Sequence, residues 1–218
     1  MRVFVAGATG ATGQVLVPLA GGHELVLHVR PRSATRHPLG TDPRARVFEL
    51  EDAAALREAL TGCDAVLSLI GTMKKRFATG DTYETSDIGT TRALVQGAQA
   101  AGVPRFLLLS SYGAGGSGAY LSAKGECERI VRKSGLRWTI FRPSALVSPP
   151  ELGGDAKRSV PPGAVALGGL LAKLPAIGPA IDDVRPIPLD VLCRAMLHVL
   201  EQPRDAQILG GRDLWRLA

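Results

Sequence analysis

The sequence predicts an α/β fold, a doubly wound and mostly parallel sheet with helices on both faces, and three observations carry that expectation. Short apolar runs alternate with segments of helical periodicity, the pattern of βαβ units. The first run leads through a glycine-rich turn into the first helical segment. At 218 residues, 45% of them hydrophobic, the chain is long enough to cover such a sheet as a single domain with a sizeable core.

Arg2 to Ala6 reads as the first strand, the stretch after Gly10 as the first helix, and Glu24 to Val29 as the second strand. Val47 to Leu50 is a weak third strand, Ala53 to Leu60 a helix and Ala65 to Leu69 a fourth strand. A long helix from Tyr83 to Ala101 stops at Gly102, with Pro104 just beyond, and Arg105 to Leu109 is the fifth strand. A helix from Tyr120 to Lys133 carries Cys127, Ile130, Val131 and Ser134 on one stripe, and Trp138 to Arg142 returns as a sixth strand. From Pro143 onward prolines interrupt a Gly- and Ala-rich stretch with one helical candidate, Val165 to Leu174. Residues 144–188 are therefore expected to form a small cap on the substrate side of one domain spanning 1–218. Order returns at Leu189 to Glu201, an amphipathic helix with Asp190 near its start.

The formal charge of +6 does not by itself point to nucleic acid, because the basic residues are scattered rather than gathered on one helix or repeat. They are densest from Arg30 through Arg32, Arg36, Arg44 and Arg46, after the second strand. Cys63, Cys127 and Cys193 lie far apart with no CxxC pair and no clustered histidine, which argues against a disulfide framework and a metal site. The chain enters a strand directly after Met1, and no apolar run reaches membrane-spanning length. The expectation is a cytoplasmic protein whose partner is a small-molecule substrate, without a nucleic-acid or membrane partner.

Gly7-Ala8-Thr9-Gly10-Ala11-Thr12-Gly13 follows a strand and opens a helix. Such a turn must leave the strand sharply, let its backbone approach a pyrophosphate, and pack the helix closely, while the helix N-terminus offers amides to negative charge. This identifies a Rossmann-type dinucleotide site, with Gly7, Thr9, Gly10, Ala11, Thr12 and Gly13 as its phosphate-side residues. In NAD-specific turns an acidic residue at the end of the second strand accepts hydrogen bonds from the ribose. Here that place reads Val29-Arg30-Pro31-Arg32-Ser33, with no carboxylate. Arg30 and Arg32 are candidates to bind the 2′-phosphate of NADP(H), preferred over NAD(H); the alternative is that they form a solvated loop.

Tyr120 and Lys124 are four apart on a predicted helix and share a face, one element after the fifth strand, which Ser110 and Ser111 close. A tyrosine hydroxyl can act as general acid to a carbonyl when a nearby ammonium stabilises its phenolate, and the lysine can also hold the nicotinamide ribose. Tyr120, Lys124 and Ser111 are the catalytic candidates.

The run from Ser110 through Leu146, with SSYGAG, YLSAKGECE and WTIFRPSAL in order, resembles the atypical short-chain dehydrogenase/reductases of the NmrA-like and TIP30-like (HIV Tat-interactive protein) group. So do GATGATG, whose glycine spacing differs from GxGxxG, SLIGT, and the late stretch VRPIPLDVLCRAML. The similarity covers most of the chain and is weakest between Pro149 and Asp183. It implies that Ile70 and Gly71, at the end of the fourth strand, contact the cofactor, and that the family's Tyr and Lys are Tyr120 and Lys124. One departure bears on the serine's role: the eight residues between Ser111 and Tyr120 are fewer than typical members have.

Other residues read more plainly. His23, His28, His37 and His198 are isolated and suit surface or strand roles, and Lys74-Lys75-Arg76 suits a solvated loop that could border the cofactor. Asp52 either faces the adenine side or caps the helix from Ala53, the stronger reading being the cap. The function expected is an NADP(H)-dependent oxidoreductase acting on a small carbonyl-type substrate. The alternatives are an NADP(H)-binding redox-sensing regulator without turnover, and an isomerase or dehydratase that uses the cofactor transiently.

Overall fold

The computed structural model describes residues 1–71, 80, 82–149, 152, 164–172 and 178–218. Among these, seven strands form one sheet: β1 (Arg2–Ala6), β2 (Glu24–Val29), β3 (Ala45–Val47), β4 (Ala65–Ser68), β5 (Arg105–Leu109), β6 (Arg137–Phe141) and β9 (Gln207–Leu209). Their order is β3-β2-β1-β4-β5-β6-β9, and every neighbouring pair is parallel. The order reverses between β1 and β4, so the loops leaving these two strands part to opposite faces and open a crevice over their carboxyl ends.

Side chains alternate between the two faces, and both faces are covered. Val3 and Val5 of β1 pack with α1 (Ala11–Leu19), α8 (Leu189–Glu201) and α9 (Gly211–Leu217). Phe4 and Ala6 pack with α3 (Ala53–Leu60), α4 (Thr90–Ala100) and α5 (Ala119–Arg132). A strand buried on both sides reads as a continuous apolar run, which is why β1, β2 and β5 stand out in the sequence. Local signals set the helix ends. Asp52 Oδ1 accepts hydrogen bonds from the Ala54 and Ala55 amides and starts α3, and α4 ends where Gly102 takes φ +71°.

Three elements differ from the sequence-based expectation. The third strand lies at Ala45–Val47 instead of Val47–Leu50, because Arg30 and Pro31 turn β2 into the short helix α2 (Pro31–Ala34) and leave β3 no further partner. The long helix expected from Tyr83 is a π-helical turn, Tyr83–Gly89, before α4 begins. The chain after Glu201, for which no element was expected, supplies the edge strand β9 and α9.

The proline-interrupted stretch leaves and rejoins the domain at one place. β7 (Leu146–Val147) and β8 (Ile187–Pro188) pair in parallel, and Ser144 Oγ donates to the Arg185 carbonyl. Between them lie α6 (Ala164–Leu171) and α7 (Gly178–Val184). The expected helix ran on to Leu174, and Lys173 and Leu174 fall outside the described residues. α7 is held to α9 through Asp183 and Arg212, while the Arg185 guanidinium lies 3.6 Å above the Trp215 ring centroid. Among the described residues no helix is long and apolar enough to cross a membrane.

His28 gives the fold a pH dependence. It is buried between Phe4 and Phe48, donates from Nε2 to the Phe48 carbonyl, and burial lowers its pKa from 6.5 to about 4. Between those values the unfolded chain binds more protons, so stability falls as the pH drops from about 6.5 towards 4, by up to about 3 kcal/mol. Urea unfolding of wild type and His28→Gln across this range should show that component in the wild type alone; equal slopes for both would exclude it.

Candidate active site

The turn after β1 is built by three glycines with separate duties. Gly7 has φ +90°, and a β-carbon there would lie 3.0 Å from the carbonyl carbon of Leu69 at the end of β4. Gly13 lets α1 press on the turn, since a β-carbon there would stand 2.5 Å from the Ala8 Cα. Gly10, the N-cap of α1, has only the Gly7 carbonyl oxygen near a would-be β-carbon, at 3.3 Å, and otherwise faces open space. The backbone from Thr9 to Gly13 thus forms a cradle at a helix N-terminus, a shape and polarity that fit a pyrophosphate. Thr12 is buried, Ala11 exposed, and the Thr9 carbonyl accepts from the Gln14 side chain.

On the β2 side, the register Ala6↔His28 brings the end of β2 up beside this turn. Arg30 is half-buried and caps α2, its carbonyl accepting the Ser33 and Ala34 amides, and Arg32 is exposed on α2. Asp52 is the cap of α3, as expected.

On the other side of the crevice, the end of β4 meets α5. Lys124 is 3% exposed; its Nζ donates to the Ile70 carbonyl at 3.1 Å and lies 3.0 Å from Asp87 Oδ1. A β-carbon on Gly71 would sit 3.3 Å from the same Nζ. Tyr120, one helical turn earlier and 37% exposed, has its ring centroid 6.0 Å from Nζ and 5.8 Å from the Tyr83 ring. Burial is the largest effect and opposes the lysine's charge, but Asp87, Tyr120 and Cys127 together outweigh it, and the Lys124 pKa stands above its ordinary value. The structure therefore places Gly7 beside the end of β4, and Ile70 and Gly71 beside Lys124, with Tyr120 one turn away on the same helix. Lys74, Lys75 and Arg76 lie outside the described residues.

The two serines at the end of β5 part company. Ser110 is buried and donates from Oγ to Glu128 Oε1 at 2.5 Å. Glu128, 2% exposed, also takes a bidentate pair from Arg142, at 2.8 and 2.6 Å. Ser111 is half-buried, and the acceptor of its Oγ is the Tyr112 carbonyl at 3.4 Å. Sequence reasoning missed Asp87, Glu128 and Arg142. Glu128 did carry a signal, standing four residues after Lys124 on a helix with Cys127 and Val131 buried; Asp87 carried none, because its direction depends on the π-helical turn. The three cysteines are free and buried, with thiol pKa values pushed up by burial, Cys193 to about 12, so none is an available nucleophile.

Comparison with known proteins decides what this surface belongs to. A family profile described as NAD(P)H-binding matches residues 7–164, from the glycine turn through α5 and β6. The chain belongs to this NAD(P)H-binding family. It is 29% identical over 216 residues to Protein HTATIP2 of Rattus norvegicus, covering 94% of this chain and 84% of that one. It is 30% identical over 176 residues to an uncharacterized chloroplastic protein of Arabidopsis thaliana, covering 70% of this chain and 61% of that protein. In fold it matches a short-chain dehydrogenase/reductase superfamily protein from Agrobacterium tumefaciens solved with bound NAD, with TM-score 0.70 and 20% identity, over 96% of this chain and 76% of that one. The expected resemblance to TIP30-like NAD(P)H-binding proteins is thereby borne out, and the fold is shared with a short-chain dehydrogenase/reductase.

For an NAD(P)H-binding protein the glycine geometry separates binding from folding. Gly10→Val is expected to lower NADPH affinity at least about 10- to 100-fold, the worth of one or two charge-assisted hydrogen bonds to phosphate, at a stability cost of about 1 kcal/mol. Gly13→Val meets backbone and should destabilise the fold by about 1–3 kcal/mol or more. Fluorescence titration with NADPH and thermal unfolding read the two effects; normal binding by Gly10→Val would remove the turn from the site.

Proposed function

We propose that this protein is an NADP(H)-dependent oxidoreductase that reduces a small carbonyl compound. The observation that carries this reading is the adjacency of the glycine turn, the end of β4 and the Tyr120–Lys124 face of α5: Lys124 donates to the Ile70 carbonyl, and neither Gly71 beside Lys124 nor Gly7 beside Leu69 has space to spare for a β-carbon. The cofactor, when bound, supplies the hydride that the carbonyl carbon receives. The backbone of Thr9, Gly10, Ala11, Thr12 and Gly13 binds the pyrophosphate, and Arg30 with Arg32 binds the 2′-phosphate, a role supported by the absence of a carboxylate after Val29. Ile70 and Gly71 border the nicotinamide side. Lys124 orients the ribose there and holds positive charge beside Tyr120.

The Tyr120 hydroxyl gives its proton to the carbonyl oxygen as the carbon–oxygen double bond becomes single, and the buried ammonium of Lys124 stabilises the phenolate left behind. Ser111 is assigned to hold the carbonyl oxygen, since the Ser110 hydroxyl already gives its proton to Glu128. Residues 144–188 cover the substrate; the side-by-side strands β7 and β8 at the base of this stretch support a cap carried on the edge of the site. A small-molecule partner, without nucleic acid or membrane, completes the proposal, as does a cytoplasmic setting, which the free cysteines suit.

Two measurements test it. NADPH should bind at least about tenfold tighter than NADH, and Arg30→Glu should erase most of that gap; equal affinities in the wild type would refute the cofactor assignment. With a carbonyl taken from a panel, single-turnover oxidation of bound NADPH should fall about 10²- to 10⁴-fold in Tyr120→Phe, with cofactor affinity nearly unchanged. Full activity of that variant would exclude Tyr120 as the acid.

A further inference from the structure

The π-helical turn before α4 is a costly local choice that the chain takes care to support. Such wide turns are rare and recur at functional sites. Its start is closed by the Thr82–Thr85 capping box. Its end is stitched by two hydroxyls, Thr90 Oγ1 donating to the Ser86 carbonyl at 2.6 Å and Thr91 Oγ1 to the Asp87 carbonyl at 2.7 Å. What the turn achieves is a matched presentation. Tyr83 and Asp87, four apart, face Tyr120 and Lys124, four apart on α5: ring meets ring at 5.8 Å and carboxylate meets ammonium at 3.0 Å.

The Lys124 ammonium is almost wholly shielded from solvent. Its side chain is 4% exposed, and that of Asp87 is fully buried. Around Nζ stand the Asp87 carboxylate from the turn, the Ile70 carbonyl and Gly71 from the end of β4, and Tyr120 and the Cys127 thiol from α5. A buried ammonium with only a carbonyl for company would give up its proton, because desolvation disfavours the charged form. The Ile70 carbonyl accepts from the ammonium, and the Asp87 carboxylate stands within ion-pair distance of it.

We propose that Asp87 is a positioning residue of the site, whose carboxylate keeps the Lys124 ammonium charged and aimed between Ile70, Gly71 and Tyr120, the state in which it can serve both cofactor and acid. This rests on the reaction proposed above for its purpose, but not for its test. Asp87→Asn preserves the volume and a hydrogen-bonding side chain and removes the charge. With ¹³C at lysine Cε, the Lys124 resonance, identified by its absence in Lys124→Met, titrates above the exposed lysines in the wild type. In Asp87→Asn it titrates below them, at least about one pH unit lower than in the wild type, which is tenfold in the acid constant. NADPH affinity, and turnover where a substrate is found, then acquire an alkaline limb at that new midpoint.

Identical Lys124 titrations in the two proteins would overturn the proposal. So would a wild-type Lys124 that titrates below the exposed lysines, a measurement that needs no variant and stands even if Asp87→Asn does not fold. A shifted Lys124 together with a fully active Tyr120→Phe supports the role of Asp87 and counts against the reaction instead.

Discussion

Two opposite charges one turn apart on α5 cannot stay in the interior alone, and much of the carboxyl edge of the sheet is arranged around that constraint. Lys124 draws in the π-helical turn through Asp87 and the end of β4 through Ile70. Glu128 draws in the end of β5 through Ser110 and the end of β6 through Arg142. Stripping such groups of water costs several kcal/mol each unless partners meet them. One helix therefore ties together the three strand ends and the turn from which the crevice is built, and the exposed tyrosine at its start inherits that rigidity.

The short connection from Ser111 to Tyr120 obeys a second constraint, one of space. Gly113, Gly115 and Gly118 all take positive φ, and the Gly115 amide donates to the Leu121 carbonyl. A β-carbon on Gly125 of α5 would come within 2.6 Å of the Gly115 Cα. The loop lies backbone against backbone on the helix, which is how eight residues make the connection from Ser111 to Tyr120.

Legibility in the sequence followed the physics of each element. β1, β2, α3, β5 and α8 were readable residue by residue, because strands covered on both faces leave unbroken apolar runs and the two helices show their ends or apolar face in local sequence. β9, with Gln207 and Ile208 exposed, had no such run, and its place is set by pairing with β6. In the site, Gly7, Gly10, Gly13, Tyr120 and Lys124 could be named from spacing and order, and Ile70 and Gly71 from the family resemblance. Asp87 could not, since a buried carboxylate has meaning only beside the cation that tertiary folding brings to it, and of the Glu128–Arg142 pair only the helical position of Glu128 left a trace.

The paired bases of the proline-interrupted stretch have a consequence for how this scaffold changes over time. Residues 146–147 and 187–188 are already side by side, so the sheet does not register what length of chain lies between them. As a general rule, doubling the length of a loop adds only about 0.6 kcal/mol in closure entropy. The anchored end, from α7 onto α9, is separate from the crevice over β1 and β4. Insertions, deletions or wholesale exchange between the two bases can thus be sampled while the glycine turn and the α5 network are left as they stand.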